Sequence, residues 1–191
     1  SPLWSAATTG GVVSSPAVAN GVVYVGDTGD GKLYAFDAAG SSGCSGTPKH
    51  CSPLWTASTG QFENVNESAA VTDKFVYVGS GVGMFVFDAL GVKGCSGTPK
   101  TCAPLGKFAG TGGADTASPA VANGVVYFAT SDDFLKAYDA TGKVGCSSPP
   151  ITCNPLFSFL TDVNADSSPA IVGGVVYVGD AGGTLRAFGL P

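Results

Sequence analysis

Four near-identical passages run along this chain: SPAVANGVVYVGDTGDGKLYAFDA, SAAVTDKFVYVGSGVGMFVFDA, SPAVANGVVYFATSDDFLKAYDA and SPAIVGGVVYVGDAGGTLRAFG. The equivalent tyrosines Tyr24, Tyr77, Tyr127 and Tyr177 lie 53, 50 and 50 residues apart. A Pro-Leu motif begins at Pro2, Pro53, Pro104 and Pro155, a period of 51. A period near 50 built from strands and turns means one supersecondary unit used repeatedly, each unable to bury its apolar faces alone. The repeat therefore constrains architecture before it says anything about chemistry.

Each repeat reads as four short strands, in the first about Leu3–Ala6, Pro16–Ala19, Val22–Gly26 and Lys32–Asp37. Alternation of Leu33 and Ala35 with Tyr34 and Phe36 marks β structure. Asn20-Gly21 and Asn123-Gly124 separate apolar runs by two residues, the strongest short hairpin signal. Gly173-Gly174 takes that place in the fourth repeat and Asp73-Lys74 in the second. With 29 glycines and 12 prolines, turns are frequent and long helices disfavoured. The expected fold is all-β: a β-propeller of four four-stranded antiparallel blades, one domain over 1–191 with repeats at about 1–51, 52–102, 103–153 and 154–191. A β-solenoid fits less well, because its repeats are normally far shorter. The segment Ser1–Ala6 is a blade strand with no blade before it, so it is expected to complete the sheet of the last repeat, in its own chain or in a neighbour. A closed four-blade ring, a two-chain eight-blade ring and an open head-to-tail polymer all satisfy that expectation.

Charged residues make up only 12% of the chain beside 44% hydrophobic ones, so Ser, Thr, Asn and Gly must solvate the surface. The net charge of -5 argues against nucleic acid and against acidic membrane surfaces. No run approaches the 18 apolar residues of a membrane-spanning helix, so membrane insertion is not expected. The chain opens at SPLW, without a basic and apolar leader. Its six cysteines fall as Cys44/Cys51, Cys95/Cys102 and Cys146/Cys153, each pair a C-x6-C. Zinc prefers C-x2-C with further Cys or His nearby, whereas this chain has one histidine, His50. Local disulfides closing linker loops on the rim fit better, each contributing about 2.5 kcal/mol by loop-closure entropy. Three such bonds imply an oxidising compartment: secreted, cell-surface or periplasmic.

The pattern Ser-Pro-Ala-Val-x-x-Gly-Val-Val-Tyr-Val-Gly, an Asp/Gly turn and Leu-x-Ala-Phe/Tyr-Asp-Ala resembles the repeat of the pyrroloquinoline-quinone (PQQ)-type propellers, over essentially the whole chain. That family's blades carry a docking motif, A-x-D-x-x-T-G-x-x-x-W, whose tryptophan packs between neighbouring blades. Ala35, Asp37 and Trp55 match it with the cysteine loop inserted before the Trp, and Ala137, Asp139, Thr141 and Gly142 match it in the third repeat. Val86 replaces the Ala in the second. The resemblance implies blade docking by Trp4, Trp55 and Phe157, with Gly106 standing where a Trp is expected. It also implies that PQQ is not bound, because the family's dehydrogenases carry adjacent cysteines and a quinone-stacking Trp that this chain lacks.

Catalytic groups are scarce, and no catalytic residue is expected. A Ser-His-Asp arrangement would need His50, which reads as a loop residue whose counterpart is Thr101. The segments entering each SPA strand gather Glu63, Asn64, Asn66, Glu67, Asp115, Asp162, Asn164 and Asp166, hard oxygen donors of the kind calcium takes. Asp162, Asn164 and Asp166 are spaced like the start of a calcium loop, although Ser167 stands where that loop wants Gly and Gly173 where it wants Glu. Asp27-Thr28-Gly29-Asp30-Gly31 reads as a plain hairpin turn. Most aromatics recur at repeat positions and read as packing between sheets; Phe62, Phe134 and Phe159 break the pattern and read as contact-surface candidates. The resulting expectation is a secreted or surface scaffold for a protein partner or for itself, with oligomers or filaments formed through the N-terminal strand. A calcium- or glycan-binding propeller, or a fragment of a larger PQQ-like protein, is the alternative.

Overall fold

Among the described residues, alternation and turn chemistry build short strands joined by turns, without a helix. The computed structural model describes residues 1–59, 65–81, 83–110, 117–147, 151–161, 165 and 167–189, with backbone alone at 151. After β1 (Ser5–Ala6) come β2 (Ala17–Ala19), β3 (Val22–Gly26) and β4 (Lys32–Asp37), then β5 (Cys44–Ser45), β6 (His50–Cys51) and β7 (Trp55–Ser58). The unit recurs as β8 (Ala70–Val71), β9 (Phe75–Ser80), β10 (Gly83–Asp88), β11 (Cys95–Ser96), β12 (Thr101–Cys102) and β13 (Gly106–Phe108). Its third copy is β14 (Ala120–Ala122), β15 (Val125–Thr130), β16 (Phe134–Asp139), β17 (Cys146–Ser147), β18 (Ile151–Cys153) and β19 (Phe157–Leu160). The fourth comprises β20 (Ala170–Val172), β21 (Val175–Gly179) and β22 (Leu185–Gly189). Asn20 and Gly21 have φ of 52° and 75°, and Asn123 and Gly124 have 51° and 76°. These values are those of the two-residue hairpin turn that Asn-Gly favours.

The blade sheets run β2-β3-β4-β7, β8-β9-β10-β13 and β14-β15-β16-β19, with β20-β21-β22 as the fourth. Every pairing within these blades is antiparallel. Apolar layers lie between consecutive sheets. Tyr24, Leu33 and Trp55 of the first blade meet Val76, Val78 and Phe87 of the second. Tyr77 and Met84 meet Phe128 and Tyr138 across the next interface. Leu135 and Tyr127 then meet Val176 and Val178. Nearest the first residues of each blade, a serine ladder joins the innermost strands. The N–H of Ser15 donates to Ser68 Oγ (2.9 Å), that of Ser68 to Ser118 Oγ (2.8 Å), and that of Ser118 to Ser168 Oγ (3.0 Å).

The cysteine loops depart from their reading as linkers. Each folds as a hairpin and extends the outer strand of the preceding sheet: β12 lies parallel to β7, with Thr101 opposite Thr56, and β18 lies parallel to β13. The reason is edge protection. Without the hairpin, β7 and β13 would present unpaired N–H and C=O groups along an exposed edge. Disulfides close all three loops at directly opposed residues, with Cα–Cα distances of 3.9 Å. In the same way β6 pairs with β1, so the N-terminal strand forms a sheet with β5 and β6. The expected completion of the fourth sheet is therefore not made within this chain. β1 is held on the hairpin of its own repeat, and among the described residues no strand pairs with the outer edge of β22. Among the described residues no helix is long and apolar enough to cross a membrane.

Replacing one bridge tests the hairpin's role. Cys95→Ser/Cys102→Ser is expected to lose about 2.5 kcal/mol in urea unfolding, and the β7 amides should exchange faster with solvent than those of β4 relative to the parent.

Candidate functional site

An aspartate begins the long turn after each of the first three blade hairpins and organises it. Asp37 accepts N–H groups from Ser41 (2.7 Å) and Ser42 (2.6 Å), Asp88 from Val92 (2.7 Å) and Lys93 (2.9 Å), and Asp139 from Lys143 (2.9 Å) and Val144 (2.6 Å). Such side-chain caps replace missing backbone partners in a turn. They hold Gly40, Gly91 and Gly142 at φ of 62°, 62° and 69°, a region that favours glycine. The bare backbone then receives an aromatic ring from the neighbouring blade strand. Trp4 lies against Gly40, and its Nε1 donates to Ala38 O at 3.1 Å. Trp55, only 2% exposed, lies against Gly91. A side chain at either glycine would overlap the indole. Tyr24, with its ring 5.9 Å from that of Trp55, donates its hydroxyl to Ala89 O at 3.0 Å.

The third slot lacks its ring. Gly106 replaces the tryptophan, and a Cβ on Gly142 would meet nothing within 4 Å. Phe108, where the first blade has Ala57, supplies part of the missing bulk. Its ring lies 4.8 Å from Tyr138 and 6.1 Å from Tyr77. Phe157 is 38% exposed, unlike its counterpart Trp55.

Electrostatics follow from these contacts. The Ser42 and Ser41 N–H groups hold the Asp37 carboxyl below its ordinary range. At Asp139 burial opposes ionisation, yet the N–H groups of Val144 and Thr141 outweigh it and the carboxyl again titrates low. Burial, aided by the charge of Asp88, pushes the Tyr24 hydroxyl up to about 12, so it remains a neutral donor.

A tryptophan packed between neighbouring four-stranded blades is the arrangement that the resemblance to PQQ-type propellers implied, and Trp55 shows it. The family model described as outer membrane protein assembly factor BamB matches residues 1–101. The chain belongs to this PQQ-like, BamB-type propeller family. No curated protein matches the sequence. Among solved structures, the computationally designed Ika4 protein is similar with a TM-score of 0.73 at 16% identity, over 100% of this chain and 99% of that one. BamB from Moraxella catarrhalis has a TM-score of 0.67 at 18% identity, over 95% of this chain and 47% of that one. The designed Ika8 protein has 0.67 at 14%, over 97% of this chain and 48% of that one. At these identities the likeness is one of fold. The chain matches a whole Ika4 but spans about half of BamB and of Ika8.

In this BamB-type propeller the expected site residues divide sharply. Asp162, Asn164 and Asp166, with Glu63, Asn64, Asp115 and Phe62, lie outside the described residues. Glu67 is buried and Asn66 exposed. Asp27 is a turn anchor: its buried carboxylate accepts Thr9 Oγ1 (2.8 Å) and the N–H groups of Gly10 (3.0 Å) and Lys32 (3.2 Å). Burial works against its ionisation, but those donors, Thr9 first, bring its pKa below the usual value. His50 lies exposed on β6 with Nδ1 2.9 Å from Ser5 Oγ, and no described carboxylate orients its other nitrogen. Phe134 is half-buried beneath Lys136 Nζ, 5.5 Å from its ring centre, and Phe159 packs 4.9 Å from Phe188. The residues do not fit PQQ: Trp4 and Trp55 are committed to glycine slots, and all six cysteines are paired at a distance in sequence. Two features are absent from the sequence reading, the serine ladder and the glycine seats. Both had a signal, since Ser15, Ser68, Ser118 and Ser168 and then Gly40, Gly91 and Gly142 recur in register.

The turn caps predict acid sensitivity of one sign. Because the folded pKa values of Asp37 and Asp139 lie below the unfolded one, near 3.9, their contribution is complete above about pH 4 and is lost as pH falls through the folded values. Urea midpoints should fall in that window, and Asp139→Asn should flatten the fall while lowering the midpoint at neutral pH.

Proposed function

We propose that the chain is a non-enzymatic interaction scaffold of an oxidising compartment, extracellular or periplasmic, whose two terminal blade faces take a further blade from a second copy of the chain. One comparison inside the molecule carries this reading. Leu185 is 73% exposed, whereas its counterparts Leu33, Met84 and Leu135 are 0% exposed. The fourth sheet thus presents to solvent the surface that every earlier sheet buries against its neighbour. The opposite end is complementary. Val65 packs against Gly26 between the first two blades and is 0% exposed, while its counterpart Val12 is 47% exposed. Gly179 stands in the fourth blade where Gly26 stands in the first. A second copy placed by the same rule would set Val12 on Gly179, cover Leu185 and lay β1 with its hairpin along β22. Burying one leucine fully contributes about 1.5–3 kcal/mol.

Other features support the scaffold reading. Three disulfides suit an oxidising compartment. A charged fraction of 12% opposes self-association little. The matched family description names an assembly factor, a role compatible with a rigid propeller that works by shape. A second reading, in which further repeats of one longer polypeptide supply the neighbouring blade, is favoured by the 47% coverage of BamB.

Light scattering across a concentration series separates these readings. Self-assembly predicts a native mass above the 18.8 kDa of the chain, returning to 18.8 kDa in Leu185→Glu. A mass of 18.8 kDa at every concentration overturns it and leaves the longer-polypeptide reading.

A further inference from the structure

The three disulfide hairpins are alike in sequence but not in what they rest on. β12 and β18 each lie on a strand that a blade already holds, so they belong to six-stranded sheets. β6 lies on β1, and the sheet β1-β6-β5 ends there. β1 is nevertheless built as the counterpart of β7. The Ser5 N–H donates to Lys49 O as the Thr56 N–H donates to Lys100 O, both at 3.0 Å. What β1 lacks is a blade on its other edge. Leu54 N–H donates to Ala35 O (2.7 Å), Leu105 N–H to Val86 O (2.8 Å) and Leu156 N–H to Ala137 O (2.7 Å). By the repeat, the acceptor for Leu3 N–H is Ala187 O on β22, and Leu3 is exposed where Leu54, Leu105 and Leu156 are half-buried. The first sheet pairs Ala35 with Trp55, Tyr34 with Thr56 and Leu33 with Ala57. The same register sets Trp4, Ser5 and Ala6 of one copy opposite Ala187, Arg186 and Leu185 of another.

We propose that the Cys44–Cys51 bridge is a redox gate on this docking: its oxidation makes the chain competent to join a second copy. The proposal rests on the self-assembly reading above and adds its control. The step is a thiol–disulfide exchange with a disulfide-bearing oxidant. The Cys44 and Cys51 thiols give up two protons and two electrons, the Sγ–Sγ bond forms, and the oxidant leaves as a dithiol. Once closed, the bridge holds β5 against β6, and β6 holds β1, before any partner arrives. β1 then meets β22 as a strand whose far edge is already paired. In the reduced chain the hairpin has to be ordered at the moment of docking, so its loop-closure entropy is charged to association. The other two bridges differ in this respect. β7 and β13 are held by β4 and β10 of their own sheets, so Cys95–Cys102 and Cys146–Cys153 act on folding.

Two bridge variants with opposite expected effects test the gate: Cys44→Ser/Cys51→Ser and Cys95→Ser/Cys102→Ser, each beside the oxidised parent. Association is read from light scattering across a concentration series, and folding from urea midpoints at concentrations too low for association. The first variant should associate at least about tenfold more weakly, up to the roughly sixtyfold that closing so short a loop supplies, with its midpoint little changed. The second should show a lowered midpoint with association little changed. Parent-like association in the first variant overturns the proposal, as does equal weakening in both. A first variant that loses its fold overturns it too, since the bridge would then serve folding. A parent that stays at 18.8 kDa throughout fails the self-assembly reading and the gate together. A parent that associates, with no difference between the variants, fails the gate alone.

Discussion

A sheet that is apolar on both faces must find a neighbour on each side, and the neighbours must also be held in register. Between the first and second blades of this chain the register is set by an aromatic ring, Trp55, seated on a glycine, Gly91, that has no side chain to spare. Asp37, Asp88 and Asp139 close the turns, the turns present the glycines, and Trp4 and Trp55 reach across from the adjoining strand. A ring can be buried there because the backbone itself forms the floor. The apolar layers of Leu33, Met84 and Leu135 then fall between correctly spaced sheets.

The disulfide hairpins act on the other edge of the same interface. Each emerges from the turn that carries the glycine seat; β12 lies along β7, the strand that carries the Trp55 ring, and β18 along β13, where Gly106 stands in the ring's place. Turn, ring and hairpin therefore form one clasp between consecutive blades, built within a period of 51 residues. This explains why covalent bonds are placed in such short loops. They order a strand addition that Gly- and Pro-rich segments would not make unaided, and they do so at a sheet edge that would otherwise be open to other chains.

The repeat, the hairpin turns and the blade order were legible in the chain because they depend on local pattern: Asn-Gly turns and alternating apolar residues act over a few positions. The extra strands were not, because GCSGTPKTC carries no β signal of its own and pairs only where β7 is waiting. The ends were partly legible. The spare strand at Ser5–Ala6 is visible in the sequence, but that it stays on β6 rather than crossing to β22 depends on the positions of whole sheets. The substitution at Gly106 is plain in the sequence, yet only packing shows that Phe108 refills part of the gap and leaves the rest open. The acidic segments around Asp162, Asn164 and Asp166 lie outside the described residues, so the calcium reading rests on their spacing alone.

The ring-on-glycine contact is best tested by a double-mutant cycle between Trp55 and Gly91, read as urea unfolding free energies. With the indole present, Gly91→Ala suffers both an overlap and left-handed strain; in a Trp55→Ala background only the strain, about 1–2 kcal/mol, remains. The account predicts that Gly91→Ala costs at least about 1 kcal/mol more in the parent than in Trp55→Ala. Equal costs in the two backgrounds would contradict it, since the glycine would then serve its turn and not the ring.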